Sequence, residues 1–277
     1  ANAQHLFYRS DILDAAGVAP PKTYEEVLAA AKTIKDKGLM EYPIAGTYAG
    51  WNLGLEFINM YLGHGGEFFE SGSAKPAVNN SKGVATLNMM KSLTEYMNPD
   101  FLTYDSNAVQ ADWEAGKVAL TNLWGSRAGP VTDGEGSTPE IESNTKFTSA
   151  PTVAGGSRPA TTLWWDGFTV ATNISDEDAE ATFKAMMNGI STQMAVANAE
   201  KANWLIKGAQ PNPAGVGVLA SASGGALPYP MLPYFGAMHS AIGAEIVDFL
   251  QGNETAEKAL EDVEAAYIAA ATEKGFL

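Results

Sequence analysis

The chain has 277 residues, 45% of them hydrophobic and 18% charged, a composition typical of globular proteins with substantial cores rather than of disordered chains. Its 17 Lys and Arg against 32 Asp and Glu give a formal net charge of −15, which argues against nucleic-acid binding and docking on anionic lipid, because both need excess positive charge. The absence of cysteine excludes disulfides, thiolate metal sites and cysteine nucleophiles, and no stretch approaches the roughly 20 apolar residues of a membrane span.

The first part of the sequence alternates short apolar strands with helices. Leu6–Tyr8 predicts a strand, and residues 11–17 predict a helical turn that Gly17 ends. Thr23 and Glu26 have the spacing of a capping box, which opens a helix ending near residue 38. A buried strand is predicted at residues 42–46, and helices with apolar stripes are predicted at 53–62 and 81–97. A turn-rich segment at 67–80 separates the two helices.

Residues 113–127 predict the end of a helix, a glycine turn, a buried strand and a loop. Ser106 or Asn107 is expected to cap the helix. The strand at 117–123 is almost wholly apolar, as expected when both faces of a sheet are covered. An indole, a glycine, a hydroxyl and a guanidinium follow it at residues 124–127. Because ligands of open α/β sheets usually bind at the carboxyl ends of strands, this loop is predicted to form one wall of a carbohydrate-sized cleft.

The second part of the sequence is richer in helix. Its extended segments are predicted at 147–151 and 161–171, and its loops at 129–143 and 211–230. Its helices are a hairpin that opens after Ser175 and two final helices, predicted at 176–190, 191–202, 233–250 and 255–272. Together the elements predict an α/β fold with a partly parallel sheet and a helical second half.

Several collinear segments resemble one family. The sequences LFYRSDILDAAG (6–17) and PKTYEE (21–26) resemble a signature of the extracellular solute-binding proteins, family 1, and GGEF (65–68), WEAGKVA (113–119) and GNETAEKAL (252–260) follow in the family's order. These proteins are the substrate-binding components of carbohydrate ABC importers and are related to maltose-binding protein. The resemblance implies a periplasmic-binding-protein-like type II fold, with two lobes that close on a ligand.

In this family the tyrosine signature lies well inside the protein, whereas here it stands at residue 8. The resemblance therefore implies a largely complete C-terminal lobe at 1–158 and 228–277. It assigns residues 159–227 to the hinge crossing and the helical part of an N-terminal lobe that lacks its first segment. The apolar face at 172–227 is then expected to be covered by that missing segment or by a second chain.

Sugar rings present apolar C–H faces that stack on aromatic rings, and six tryptophans are present. Candidates lie near predicted loops or element ends, or on a late helix that often contributes an aromatic ring in the family: Trp51, Trp124, Trp165, Tyr234 and Phe235. Packing in the core is the alternative for each, and the sequence does not distinguish which residue of the late helix, His239 included, faces the ligand. Core packing is the expected role of two further tryptophans, Trp113 and Trp204.

Polar candidates accompany these rings. Arg127 follows the predicted strand and has the geometry to donate to two hydroxyls, with a surface salt bridge as the alternative. Asp166 stands in a largely apolar run, where a carboxylate is costly to bury without hydroxyl donors. The resemblance puts Asn2, and less directly Gln4, where the first crossing meets the cleft. These residues are predicted to hydrogen-bond a ligand.

Signals of catalysis are poor. The three histidines are far apart, and neither a zinc-hydrolase nor a serine-hydrolase motif is present, so no catalytic residue, metal ligand or cofactor is expected. The glycine-rich run at 215–220 does not follow a predicted strand and is interpreted as a loop. A glycosidase with a carboxylate pair near Asp112, Glu114 or Asp166 remains an alternative, as does a truncated lobe without a competent site.

The favoured interpretation is a non-catalytic receptor for a sugar, oligosaccharide or polyol, which delivers its ligand to the permease subunits of an ABC importer. Such a receptor is expected in the periplasm or on the cell surface of a bacterium. The first eight residues contain neither a basic region nor a hydrophobic signal sequence. A further segment is therefore expected to precede them in the native protein.

Overall fold

A computed structural model describes residues 1–210 and 212–277, and a four-stranded mixed sheet organises them. Strand β1 spans Gln4–Arg9, β2 spans Ile44–Ala45, β3 spans Leu120–Trp124 and β4 spans Thr145–Thr148. The strands lie in the order β2-β3-β1-β4, with β2 parallel to β3 and the other pairs antiparallel. A separate parallel pair is formed by β5 (Thr162–Leu163) and β6 (Leu227–Pro228). The predicted partly parallel sheet is confirmed.

Helices surround the main sheet and continue through the second half. In chain order, those of the described residues are α1 (Ser10–Ala16), α2 (Tyr24–Asp36), α3 (Trp51–Gly63), α4 (Ser81–Thr94), α5 (Ser106–Glu114), α6 (Pro139–Asn144), α7 (Asp176–Gly189), α8 (Thr192–Ala197), α9 (Val216–Ser223), α10 (Phe235–Glu245), α11 (Val247–Gln251) and α12 (Ala256–Glu273).

Local sequence signals set several of these boundaries. The Thr23 hydroxyl accepts a hydrogen bond from the Glu26 backbone N–H and begins α2, which confirms the predicted cap. Gly17 ends α1 in the left-handed conformation at φ 71°, where a residue without a Cβ avoids strain. Ser175 caps α7 in the same way as Thr23 caps α2.

Helix α3 is the central element of the larger core. All of its residues from Leu53 to Gly63 are buried, and it packs against α4 and α10. A Cβ on Gly54 would lie 2.6 Å from the His239 ring, so the absence of a side chain allows α3 and α10 to approach closely. Any polar group on the buried part of this helix must therefore find its partners inside the protein.

A second core lies on the other face of the sheet, around Trp113 of α5. The indole is fully buried, meets Phe7 edge-to-face at 5.9 Å, and donates a hydrogen bond from Nε1 to Thr145 Oγ1 at 3.0 Å. The expected structural role of Trp113 is therefore confirmed.

Two predicted boundaries around this core are wrong. Asp105, and not Ser106 or Asn107, caps α5 by accepting from two backbone N–H groups. Strand β3 begins at Leu120 and not at residue 117, because its pairing with the two-residue strand β2 starts at the Ile44–Leu120 pair.

Two predicted loops contain helices. The segment 129–143 includes most of α6, which Thr138 caps and which buries Ile141 against the Trp113 core. The segment 211–230 includes α9, although Pro211 lies outside the described residues. Helix α9 packs on β1 and β4, so tertiary contact overrides the low helix propensity of Gly217 within it and of the glycines that flank it. Within the predicted extended run at 161–171, only the two residues of β5 form a strand.

Helix α7 differs from the others because it contains no buried residue. It exposes Phe183 and Met187 to solvent. The two predicted helices of this segment are present as α7 and α8, although α8 ends at Ala197 rather than near residue 202. Helix α9 was assigned to the same unit from the sequence, yet it packs on the main sheet. No described helix is both long enough and apolar enough to cross a membrane.

The contact between α9 and β1 leads to a test of stability. A Cβ on Gly217 would lie 2.2 Å from Nδ1 of the buried His5 ring, so Gly217→Ala should lower the free energy of unfolding by about 2 kcal/mol through overpacking. The matched control is Gly236→Ala in α10, where a Cβ meets nothing within 4 Å and replacement should be neutral or slightly stabilising. Urea denaturation measures both, and equal stabilities of the two variants would contradict the packing.

Candidate functional site

Four aromatic side chains from distant parts of the sequence meet around Trp164. Its ring lies 5.9 Å from Trp51 and 5.8 Å from Trp124, both edge-to-face, and 4.4 Å from Tyr229. We call these four residues the aromatic wall. Trp51 is the first residue of α3, Trp124 is the last of β3, and the other two directly follow β5 and β6. Trp51 is 50% exposed and the other three rings are half-buried, so the wall presents ring surface to solvent.

The buried His239 of α10 holds two members of the aromatic wall in place. Its ring stacks on Trp51 at 4.3 Å, and its Nε2 lies 2.8 Å from the Trp51 carbonyl oxygen. Its Nδ1 lies 2.7 Å from the hydroxyl of Tyr229. Since a carbonyl only accepts, Nε2 carries the proton and Nδ1 accepts from Tyr229. Burial lowers the pKa of His239 and raises that of Tyr229 to about 12, which favours this neutral pairing.

A cavity of about 750 Å³ is lined by residues close in sequence to Trp124 and Trp164, although none of the four wall residues lines it. Asn2, Ser126 and Asp166 line it. The backbone of Asn2 makes two hydrogen bonds of 2.8 Å with the backbone of Trp164, and Ser126 stands two residues after Trp124. The Asn2 amide donates to Ser126 Oγ at 3.2 Å and accepts from the Ser126 N–H at 3.2 Å. Polar groups suited to hydroxyls are thus held at the carboxyl end of β3, as the sequence predicts.

Two predicted site residues lie at the edges of this arrangement. Trp165 is 69% exposed and rests on Gly167. Arg127 donates from Nη1 to Gln110 and from Nη2 to Asn107, each at 2.8 Å. Its guanidinium is therefore held by amides of α5, and the alternative of a surface salt bridge does not describe it.

Two further predicted residues point into the packing of the C-terminal helices. Phe235 is 1% exposed and meets Phe68 edge-to-face at 4.9 Å. Tyr234 meets Phe69 edge-to-face at 4.8 Å, and its hydroxyl donates to the Ser73 carbonyl at 3.3 Å. Phe235 therefore offers no free ring face, and the site proposed below includes neither residue.

The sequence reasoning missed Trp164, Tyr229 and the bridging role of His239. The adjacent pair Trp164 and Trp165 carried a usable signal, because successive side chains of an extended segment point to opposite sides. Only one ring of such a pair can join an inward-facing cluster. Tyr229 had no comparable signal, since its place depends on the pairing of β6 with β5.

A buried hydrogen-bond network lies behind the aromatic wall. The Trp164 Nε1 donates to Thr162 Oγ1 at 2.9 Å, and this hydroxyl donates to Asn59 Oδ1 at 2.8 Å. The Asn59 amide donates to Gln4 Oε1 at 2.6 Å, and the Gln4 amide donates to Glu56 Oε1 at 2.9 Å. All members except Trp164 are buried, so the network connects the wall to the interior of α3.

Glu56 lies at the inner end of this network and is 5% exposed. The hydroxyl of Thr47 and the amide of Gln4 both donate to its Oε1. Burial, which disfavours the charged form, raises the pKa of Glu56 to about 7, and these two donors partly oppose the rise. The neutral acid satisfies the same contacts when its proton is on Oε2.

The acidic residues considered for catalysis do not converge. Asp166 lines the cavity of about 750 Å³, whereas Asp112 lines a different cavity and accepts a hydrogen bond from Tyr104 at 2.7 Å. Glu114 accepts from Gln110 at 2.7 Å. Across the described ranges, no three His, Asp or Glu side chains cluster in a way that would hold a metal ion.

The profile of the family described as bacterial extracellular solute-binding protein matches residues 1–189. A search of curated proteins gave no match.

Solved structures of transport proteins share the fold. A maltose-bound MalE3 of T. maritima is 21% identical with a TM-score of 0.79, the match covering 97% of this chain and 71% of that one. An ABC transporter solute-binding protein from Agrobacterium radiobacter K84, in complex with ribitol, is 21% identical with a TM-score of 0.80, covering 95% and 68%. One from Agrobacterium vitis S4, with bound D-mannitol, is 20% identical with a TM-score of 0.79, covering 99% and 72%. The predicted α/β, periplasmic-binding-protein-like fold is therefore confirmed.

The raised pKa of Glu56 predicts how stability depends on pH. Because the neutral acid is favoured in the folded state, its contribution is complete below the ordinary value of 4.5 and is lost as the pH rises through about 7. This gap corresponds to about 3 kcal/mol. Glu56→Gln, which stays neutral, should match the parent near pH 4.5 and exceed its free energy of unfolding at pH 8. Urea denaturation across this range measures the difference.

The control is Glu261→Gln, which changes a carboxyl group whose side chain is 69% exposed. This variant should keep the pH profile of the parent. A Glu56→Gln profile parallel to that of the parent from pH 4.5 to pH 8 would contradict the prediction.

Proposed function

The chain belongs to the bacterial extracellular solute-binding proteins, and from this premise we propose that it is the ligand-binding component of an ABC importer for a sugar, oligosaccharide or polyol. The observation that carries the proposal is the aromatic wall, whose rings are partly open to solvent, while Asn2, Ser126 and Asp166, which are neighbours of the wall residues in the sheet or the sequence, line a cavity of about 750 Å³. Stacking surface next to hydroxyl partners is what a carbohydrate requires.

In the proposed site the ligand stacks on Trp124, Trp164 and Trp51. Its C–H faces replace water on the exposed indole surface, which is favourable because apolar area is removed from solvent. Hydroxyls of the ligand hydrogen-bond to Asn2 and Asp166. A carboxylate accepts from two adjacent hydroxyls with charge-assisted strength, so Asp166 is expected to orient the ligand.

The charge of the cavity favours a neutral ligand. Its lining includes the acids Asp133, Asp166 and Glu200 against one lysine, Lys201, in a chain with net charge −15. An acidic sugar would meet repulsion there. The neutral ligands of the similar structures, which include maltose, ribitol and D-mannitol, fit this expectation.

We propose that the ligand-loaded form docks on permease subunits at the outer face of a bacterial membrane, in the periplasm or at the cell surface. The family's description as extracellular supports this location. The proposed function needs no cofactor, because ligand binding neither makes nor breaks a covalent bond.

The proposed two-lobe organisation assigns 1–158 and 228–277 to one lobe. The main sheet lies within residues 4–148, and α10 and α12 return to pack with α3 and α4, which supports this lobe. The hinge crossing and the second unit were assigned to residues 159–227. Because α9 packs on β1 and β4, we propose that the second unit ends before α9 and that α9 belongs to the first lobe. The exposed apolar face of α7 is proposed to be covered by another part of the protein or by a second chain.

A ligand panel tests the proposed function directly. Maltose, D-mannitol and ribitol, each at millimolar concentration, should raise the thermal midpoint of the protein if any of them binds the folded state. Isothermal titration calorimetry then gives the dissociation constant. The absence of a shift or heat with all three, and with longer oligosaccharides, would contradict the proposal, and hydrolysis of an oligosaccharide would favour the glycosidase alternative.

Substitutions test the proposed wall. Trp124→Ala and Trp164→Ala should each weaken binding of the best panel ligand by about tenfold or more, because each removes a stacking ring. The control is Tyr42→Ala, which removes a half-buried ring that lines a different cavity and should leave the dissociation constant unchanged. Calorimetry on the three variants is the measurement, and equal effects of all three would argue against the site.

The charged partner has its own test. Asp166→Asn keeps the shape and one acceptor but removes the charge, so it should weaken binding of the same ligand by about fivefold to tenfold. Asp133→Asn, which alters another acid of the cavity lining, serves as the matched control for general loss of charge. If the two substitutions change the dissociation constant equally, Asp166 has no specific role.

A further inference from the structure

The buried network behind the aromatic wall has a defined direction. The indole N–H of Trp164 can only donate, so Thr162 Oγ1 accepts it and uses its single proton towards Asn59 Oδ1. The Asn59 amide nitrogen then donates to Gln4 Oε1, and the Gln4 amide nitrogen donates to Glu56 Oε1. In this arrangement each amide accepts from one neighbour and donates to the next. We call this chain of contacts from Trp164 to Glu56 the relay.

The relay connects three separate parts of the fold. Gln4 lies on β1 of the main sheet, Asn59 lies on the buried helix α3, and Thr162 lies on β5 of the small sheet. Gln4, Asn59 and Thr162 are each 1% exposed. Breaking any contact would leave buried polar atoms without partners, which costs more than the bond itself contributes. The arrangement is therefore expected to act as one cooperative unit.

Only one member of the relay belongs to the aromatic wall. Trp164 is half-buried and is the ring that touches Trp51, Trp124 and Tyr229. Rings held only by edge-to-face contact have a broad choice of angle. The hydrogen bond from Nε1 to Thr162 restricts the rotation of the Trp164 indole and so the plane that the wall presents.

We propose that Glu56, which does not line the proposed cavity, is a positioning residue for Trp164 and acts on ligand binding through Gln4, Asn59 and Thr162. This inference rests on the proposed function for its effect on a ligand. Its effect on the indole does not depend on any ligand. Glu56 provides the terminal acceptor that fixes the Gln4 amide, and the fixed amides in turn orient the hydroxyl that holds the indole.

The first experiment uses the ligand-free protein. In ¹H–¹⁵N spectra the six tryptophan indole N–H groups should give six signals, and Trp164→Phe identifies that of Trp164 by its loss. Glu56→Leu, a change of similar volume in a buried position, should shift this signal and speed its hydrogen exchange, whereas Glu56→Gln, which keeps the acceptor oxygen, should restore it. An unchanged Trp164 signal in Glu56→Leu would overturn the proposal.

The second experiment measures binding of maltose and D-mannitol by calorimetry. Glu56→Leu and Thr162→Val should each raise the dissociation constant by about fivefold, the equivalent of one hydrogen bond. Thr162→Ser, which keeps the hydroxyl, should retain parental affinity. In the Thr162→Val background, Glu56→Leu should have no further effect, because the relay is already broken. If the fold-changes in the dissociation constant caused by the two substitutions multiply in the double variant, Glu56 acts on binding by a route other than the relay.

The matched control is Thr145→Val. Thr145 is also a buried threonine whose hydroxyl accepts from an indole, that of Trp113 at 3.0 Å, but this pair lies in the other core. Its loss should reduce stability as Thr162→Val does and leave the dissociation constants unchanged. If Thr145→Val weakens binding as much as Thr162→Val does, the effect of Thr162→Val on binding comes from a general loss of stability and not from the relay.

The two proposals fail separately. If neither maltose nor D-mannitol binds the parent protein, the ligand class proposed for the chain loses support, while the indole signal still decides the role of Glu56. If a sugar binds but the Trp164 indole signal does not change in Glu56→Leu, the proposed function is supported and the proposed role of Glu56 is wrong.

Discussion

The burial of α3 is the constraint on which the rest of the structure depends. A helix enclosed from Leu53 to Gly63 has no access to water, so the polar side chains of Glu56 and Asn59 must be satisfied by other elements. Gln4 of β1 and Thr162 of β5 provide those partners. The same helix begins at Trp51, which joins the aromatic wall. The helix that organises the core therefore also fixes one edge of the candidate site.

The candidate site shows the same dependence of function on packing. Three of the four rings of the aromatic wall have a further contact: Trp51 with the His239 ring, Tyr229 with the His239 nitrogen, and Trp164 with the Thr162 hydroxyl. The supporting groups are buried and the rings are partly exposed. Such preorganisation lowers the entropy that a flexible ligand-binding surface would lose on binding. The family of solute-binding proteins, to which the chain belongs, gives this arrangement its proposed purpose.

Individual elements show what kind of information each prediction needed. The cap at Thr23, the stop at Gly17 and the start of α7 after Ser175 follow from neighbours within four residues, and all three were predictable. Helix α9 was not, because Gly217 within it and the glycines that flank it disfavour helix locally, and its stability comes from contact with β1 and β4. For the site, the loop after β3 was predicted because ligands bind at the carboxyl ends of strands, and Asn2 was implied by the family resemblance, whereas Tyr229 required the pairing of β5 with β6.

By itself the sequence determined the α/β class, the family and the region of the candidate site, because periodicity, caps and collinear motifs are local or ordered along the chain. Only the tertiary structure decided which member of an adjacent tryptophan pair faces inward, that Phe235 is core, and that Arg127 binds amides of α5. It also brought Trp164 and Glu56 into one network, although they are more than one hundred residues apart. The physical reason is that ring contacts and buried hydrogen bonds are set by which elements pack together, and residue order alone does not specify that packing.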